Sequence, residues 1–297
     1  MTGPEQGFLL LTSSLGDPDR KPLTVAQFRN LAKRVQNAQK EVSSRDLQIE
    51  DLRRLGYELP MAERIYGLLC GTNQLRTYLK RAENCDCYPI TRLNHLYPDG
   101  VRRRLGMDCP GVLWAKGDVT LLNRPAVAVI GSRDLNEQNK RFAEEAGREI
   151  AKQGYVLVSG NARGADRTAQ DAALEAGGCV ISVVADSLQN QPLTERVLYL
   201  SLDDFDQPFS AVRALHRNYV IHTMAELTVA AQCTFGKGGT WDGIRNNLKN
   251  GWNPVCIFED GSNAVSELQN RGVHTITAKD LQNLADLTLQ NPNFING

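Results

Sequence analysis

One stretch of the sequence, residues 126–166, constrains the fold most because it alternates short apolar runs with glycine-rich turns. Ala126 to Ile130 contains only Ala, Val and Ile and ends at a glycine, and Tyr155 to Val158 is followed by Ser159 and Gly160. Short continuous apolar runs of this kind are typical of strands buried on both faces of a parallel sheet. The stretch therefore predicts a strand, a helix and a second strand of an α/β fold.

The helix between these strands has recognisable ends in the sequence. Asp134 is a suitable N-cap residue, and Glu137 three residues later would complete a capping box. Gly154 is placed to end the helix before the next apolar run. We therefore expect a helix from about residue 135 to residue 153.

Ligands of such units bind beyond the carboxyl ends of the strands, where the two turns come side by side. Glycines, a hydroxyl, a guanidinium and free amides at a helix start are suited to phosphate oxygens. The alternative is plain turn chemistry, because tight turns need glycine for steric reasons and Asp166 can serve as a cap for loop amides. The candidate residues of these turns are Gly131, Ser132, Arg133, Ser159, Gly160, Arg163, Gly164 and Asp166.

The two turns also resemble the paired signature of the DprA/Smf family of DNA-processing proteins. The resemblance rests on Val127 to Arg133 and Val158 to Asp166, and it extends through Tyr97-Pro98 and residues 110–117 to Arg217-Asn218. It implies a Rossmann-like domain that binds single-stranded DNA, and a role in loading the recombinase RecA during natural transformation. The resemblance alone implies these functions, and the spacing of the residues does not show them.

The resemblance further implies that Arg217 and Asn218 lie on a helix beside the nucleic-acid groove. Arg217 would donate to a phosphate and Asn218 would orient it. A buried structural ion pair of Arg217 is the alternative. Many members have a histidine after an alanine in the preceding helix, where this chain has Gln170 after Ala169. The role of that histidine is therefore not transferred.

A third glycine-rich loop, residues 235–243, departs from the DprA pattern. It resembles the loop of related Rossmann nucleotide-binding proteins, including cytokinin-activating phosphoribohydrolases. Its amides and hydroxyl suit a phosphate, and its lysine adds charge. The catalytic glutamate of the phosphoribohydrolases falls on Gly243, and the adjacent Asp242 would point elsewhere, so we do not expect hydrolysis. This loop adds the candidates Lys237, Gly238, Gly239 and Thr240.

Composition and absent motifs narrow the function classes. The 34 basic and 34 acidic residues cancel, so a grip on nucleic acid must come from a local patch. The sequence has no dinucleotide fingerprint, Walker loop or nucleophile elbow in the expected form. Cys85 and Cys87 are separated by one residue, which is not the spacing of a structural zinc site. We expect no catalytic residue, no metal and no cofactor.

Targeting signals are also not recognisable in the sequence. The apolar runs fall short of the roughly 18 residues that span a bilayer. The N-terminus lacks the basic region of a signal peptide. We expect a cytoplasmic protein without membrane contact. DprA proteins often add a C-terminal winged-helix domain, and no residues follow Gly297 to build one, so we do not expect functions that depend on it.

Together these observations predict a helical N-terminal domain, residues 1–88, and a Rossmann-like domain, residues 89–297, with a doubly wound and mostly parallel sheet. The function we expect is non-catalytic binding of single-stranded DNA in DNA processing and recombination, with a RecA-type recombinase as partner and a homodimer as assembly. The alternative is a sensor of a free nucleotide or an NAD-derived ligand, serving phage defence. A nucleotide phosphoribohydrolase is a third reading.

Overall fold

The computed structural model describes residues 1–38 and 47–289. This part of the chain forms one sheet of nine strands with helices on both faces. The strands are β1 Tyr88–Thr91, β2 Val112–Gly117, β3 Ala126–Ile130, β4 Val156–Ser159, β5 Cys179–Val183, β6 Val197–Ser201, β7 Leu227–Ala230, β8 Val255–Phe258 and β9 His274–Ile276. The helices are α1 Gly3–Thr12, α2 Val25–Asn37, α3 Ile49–Arg54, α4 Leu59–Leu69, α5 Thr72–Glu83, α6 Asp99–Leu105, α7 Glu137–Lys152, α8 Ala165–Glu175, α9 Ala211–His216, α10 Asn218–Met224, α11 Gly239–Asn250, α12 Asn263–Asn270 and α13 Leu284–Leu289.

The strand order is β1-β2-β6-β5-β4-β3-β7-β8-β9. In this sheet order, the neighbouring strands from β6 through β5, β4, β3, β7 and β8 to β9 are all parallel. Strand β2 pairs antiparallel with β6, and β1 pairs antiparallel with β2 at the edge. The chain moves outward from β3 to β6 and then returns to the other side of β3 to form β7, β8 and β9. In such sheets this reversal opens a crevice beyond the carboxyl ends of the strands, here those of β3 and β7. The predicted α/β class with a mostly parallel sheet is confirmed.

The central strand β3 is buried on both faces, which explains its continuous apolar sequence. Val127 and Val129 face the core beneath α7 and α8. Ala128 and Ile130 face the opposite core, beneath α10 and α11. The two-sided burial of this strand fixes the carboxyl end at which its glycine turn begins.

Helices α1 to α5 precede the first strand, and residues of α1 to α4 share a core around Leu52 and Ile65. They are also joined to the sheet, because Tyr78 packs edge-on against Trp114 with a centroid distance of 5.7 Å. The Tyr78 hydroxyl donates to Asp206 at 2.7 Å. The expected boundary between residues 88 and 89 falls at the start of β1, and the expected end at residue 297 lies outside the described residues. Two domains stay a proposal.

The start of α7 differs from the expectation. Asn136 is the N-cap residue, and its side chain accepts from the backbone N–H of Asn139 at 2.8 Å. Asp134 instead accepts from Arg163 at 2.6 Å. The predicted capping box of Asp134 and Glu137 was therefore wrong, because Asn136, two residues after Asp134, supplies the cap. None of the helices within residues 1–38 and 47–289 is both long and apolar enough to cross a membrane.

Candidate functional site

A cleft of about 390 Å³ opens beyond the carboxyl ends of β3 and β7. Its walls come from the turn after β3, the start of α8, the segment of α9 and α10, and the loop before α11. The structure brings together many of the residues predicted from sequence. Those that line the cleft are Gly131, Ser132, Arg133, Asp166, Arg217, Asn218, Lys237, Gly238, Gly239 and Thr240.

The turns after β3 and β4 lie in direct contact. The backbone N–H of Ala165 donates to the Ser132 carbonyl at 3.1 Å. Gly164 has a φ of +85°, and a Cβ at this position would lie 2.4 Å from the Ser132 carbonyl oxygen. Glycine is therefore required at position 164 for both conformation and space. The prediction that the two turns come side by side is confirmed.

The floor of the cleft holds a buried carboxylate. Asp166 accepts from the backbone N–H groups of Gly160 at 3.1 Å and Ala162 at 3.2 Å. Burial raises the pKa of Asp166, and the nearby charge of Arg217 acts in the opposite direction. The side chain thus holds the loop after β4 in place, as a cap would, and also contributes to the lining.

Arg217 lies beside this carboxylate and is itself buried. Its guanidinium donates through Nη1 to the carbonyl of Val183 at the end of β5. Burial lowers the pKa of Arg217, and Asp166 raises it. The Nε of Arg217 is buried and has no hydrogen-bond partner among the described residues. A buried cation with an unused donor is suited to an anionic ligand.

Gly160 makes room for this arginine. A Cβ at position 160 would lie 2.0 Å from Nη1 and 2.3 Å from Cζ of Arg217. No side chain fits there unless the guanidinium moves. Gly160 therefore shapes the cleft floor, although it is not itself part of the lining.

Two predicted residues have other partners. The Ser159 hydroxyl accepts from Gln170, whose carbonyl oxygen accepts from Ser182 at 3.1 Å. Arg163 pairs with Asp134, and the two side chains are 75% and 83% exposed. Ser159, Gly160, Arg163 and Gly164 all lie outside the cleft lining. Ser159 and Gln170 thus tie β4 to β5, a contact that sequence reasoning missed.

The loop before α11 forms the opposite wall of the cleft. Gly236 and Gly238 adopt φ values of +71° and +92°, which lets the chain turn sharply into the helix at Gly239. The first amides of a helix have no partner within it and can serve a ligand. Lys237 is exposed at the rim. The Asn218 side chain donates to the Gly239 carbonyl at 3.3 Å and so links α10 to this wall.

The position that corresponds to the phosphoribohydrolase glutamate points into the core. A Cβ on Gly243 would lie 2.8 Å from Nε2 of His222, which leaves no space for an acidic side chain. His222 is buried, and burial lowers its pKa to about 4. Its Nδ1 lies 3.1 Å from the Thr228 hydroxyl. Asp242 does not line the cleft and faces a neighbouring groove.

Sequence reasoning also missed the contribution of α9 to the cleft. Ala211, Ala214 and Leu215 line it, and Leu215 is 55% exposed. The signal available in the sequence was the position of Leu215 between Arg213 and His216. The charge of the lining comes from Arg133, Arg217, Lys237 and the carboxylate of Asp166. The cleft thus combines cations, glycine turns and a helix start, which suits a phosphate-bearing ligand.

The chain is similar to one family and to several characterised proteins of that family. A family model described as DNA recombination-mediator protein A matches residues 89–289. The DNA processing protein DprA of Bacillus subtilis is 37% identical over 84 residues, 28% of this chain and 28% of that protein. DprA of Streptococcus pneumoniae is 37% identical over 103 residues, 35% of this chain and 32% of that protein. These alignments span about a third or less of each relative.

Solved structures agree with this. DNA processing protein A from Streptococcus pneumoniae matches with a TM-score of 0.74 and 21% identity, covering 96% of this chain and 98% of that chain, which supports the fold. A Helicobacter pylori DNA processing protein A, described for its single-stranded DNA binding mode, matches with a TM-score of 0.58 and 25% identity. That alignment covers 67% of this chain and 95% of the Helicobacter chain. The resemblance found in the sequence is confirmed.

Proposed function

The chain belongs to the DNA recombination-mediator protein A family, and from this premise we propose that it binds single-stranded DNA in DNA processing and recombination. The observation that carries the proposal is the cleft at the strand reversal. It combines Arg133, Arg217 and Lys237 with the glycine turns after β3 and β7. Phosphate contacts of this type supply most of the affinity for a single strand.

The proposal assigns different tasks to the cations. Arg217 is buried on the floor, where low dielectric strengthens its attraction to a phosphate and Asp166 keeps it in place. Arg133 and Lys237 are exposed on two different loops of the cleft and would contact the backbone of a bound DNA strand. The backbone amides at the start of α11 would add donors. This arrangement binds and needs no catalytic group.

Likeness to relatives supports the same ligand. The Helicobacter pylori protein is described by its binding of single-stranded DNA, and it aligns over 67% of this chain. The curated relatives are DNA processing proteins, although the alignments cover only part of their length. A RecA-type recombinase partner, a homodimer and a cytoplasmic location are further proposals that rest on the family.

A sensor of a free nucleotide is the second candidate. The observation in its favour is the size of the cleft, because about 390 Å³ lies in the range of small-molecule sites. The loop before α11 also resembles that of nucleotide-binding proteins. Single-stranded DNA and a free nucleotide both need a site that binds phosphate, so the dependence of affinity on ligand length distinguishes the two candidates.

The test is a titration of the purified protein with labelled oligo-dT of increasing length and with a panel of nucleotides. If a strand is bound, affinity rises with length until the site is filled, and it falls with salt at a log-log slope of about −0.7 per phosphate engaged. Binding should survive EDTA, and nucleoside monophosphates should release no free base. Tight binding of one nucleotide without any response to oligo-dT would refute the proposal.

A further inference from the structure

A second groove lies against the cleft, along the exposed side of α11. Its volume is about 860 Å³. Leu215, Asn218 and Gly239 line both the groove and the cleft, so the two are continuous at the start of α11. A chain-like ligand that leaves the cleft past Asn218 would enter this groove.

The groove carries positive charge. Arg245 and Lys249 lie four residues apart on α11, both exposed, on one face of the helix and about 6 Å apart along its axis. No carboxylate of the described chain forms an ion pair with either of them. Arg271 adds a third cation, which is paired with Glu267 at 2.7 Å. Asp242 supplies negative charge to the lining.

Aromatic rings complete the groove. Trp252 and Tyr219 are half-buried and line it together with the cations. Alternation of cations with ring faces is the chemistry of single-strand grooves, where the cations follow the phosphates and the rings stack with bases of any identity.

We propose that this groove is a second section of the single-strand path, holding the nucleotides that follow those in the cleft. Phosphates leave the cleft at the start of α11 and run along that helix past Arg245 and Lys249. The bases turn toward Trp252. This inference rests on the proposed function, because it extends the same strand. It predicts a longer site than the cleft alone provides.

The experiment compares a short oligo-dT of about 4 nucleotides with one of about 16 nucleotides, within the range of known single-strand sites. The test variant is the double substitution Arg245→Ala and Lys249→Ala. The matched control is Arg76→Ala with Lys80→Ala, which removes two exposed cations at the same spacing from α5. Fluorescence anisotropy at several salt concentrations measures both affinity and salt slope.

We expect the test variant to bind the longer oligonucleotide about fivefold to thirtyfold more weakly, with the salt slope reduced by about 1.4. Its affinity for the short oligonucleotide should match that of the wild type, and the control variant should bind both normally. Unchanged binding of the longer oligonucleotide by the test variant would overturn the second section while leaving the cleft intact. Failure of the wild-type protein to bind either oligonucleotide would refute the proposed function itself.

Discussion

Arg217 is expected to stabilise the fold through Asp166 as well as to bind ligand. In Arg217→Met the buried carboxylate loses its nearby cation, and the Val183 carbonyl loses its donor. Leaving a buried carbonyl without its donor costs about 1 to 3 kcal/mol, and weaker compensation of a buried carboxylate adds to that loss. We expect a loss of this size in the free energy of unfolding near neutral pH, measured by urea denaturation.

The loss should depend on pH in a defined direction. Burial raises the pKa of Asp166 above its ordinary value of 3.8, and removal of Arg217 raises it further. A carboxyl group whose pKa is raised in the folded state binds more protons when folded, so stability falls as pH rises above 3.8 toward the folded pKa. The deficit of Arg217→Met should therefore be smaller at about pH 5 than at about pH 7.

A double-substituted variant separates this reasoning from a simple loss of packing. Asp166→Asn removes the charge that Arg217 compensates, so Arg217→Met combined with Asp166→Asn should be more stable than the sum of the two single losses implies. A deficit of Arg217→Met that is the same at both pH values, together with additive losses in the double variant, would refute the electrostatic coupling.

Three further predictions use the same purified protein. Arg133→Ala should weaken oligo-dT binding about tenfold to hundredfold, because Arg133 lines the cleft. Arg163→Ala breaks only an exposed ion pair and should change the affinity less than about fivefold. Equal losses of affinity in the two variants would contradict the assignment of Arg133, and not Arg163, to the DNA-binding cleft. Gly160→Ala should lower the free energy of unfolding by about 1 to 3 kcal/mol because its methyl group meets the guanidinium of Arg217, and an unchanged melting temperature would show that the guanidinium moves freely. Burial lowers the pKa of His222 from 6.5 to about 4, so the protein should lose about 3 kcal/mol of folding stability as pH falls from 6.5 to 4, because the unfolded chain then takes up a proton that the folded chain does not. His222→Gln should therefore make stability less dependent on pH between 4 and 6.5. An unchanged pH dependence in this variant would assign the loss to other groups.

The centre of the fold was predictable from local sequence. The apolar runs of β3 and β4 are buried on both faces, and parallel pairing places their turns together. The contact between the turn at residues 131–133 and the turn at residues 160–164 follows from that pairing alone. The steric role of glycine in these turns was also predictable, and Gly164 illustrates it with a positive φ in a crowded turn.

The roles of individual side chains were not predictable in the same way. Arg133 and Arg163 each follow a glycine-containing turn, yet one lines the cleft and the other pairs with Asp134 outside it. The hydroxyl of Ser159 turns toward Gln170, a residue eleven positions later. These differences depend on which neighbour lies beside each turn, and that is decided by tertiary packing. The groove along α11 likewise draws on segments far apart in the sequence.

The strand reversal also determines when the cleft can form during synthesis. β3 meets β4 within about 30 residues of chain, but its other neighbour, β7, begins only at Leu227. A nascent chain that has emerged through β6 has one wall of the cleft and leaves one edge of β3 unpaired. The complete cleft therefore cannot form before α11 has emerged. A single-stranded DNA bound in the cleft would then hold the early and late halves of the sheet together and resist their separation.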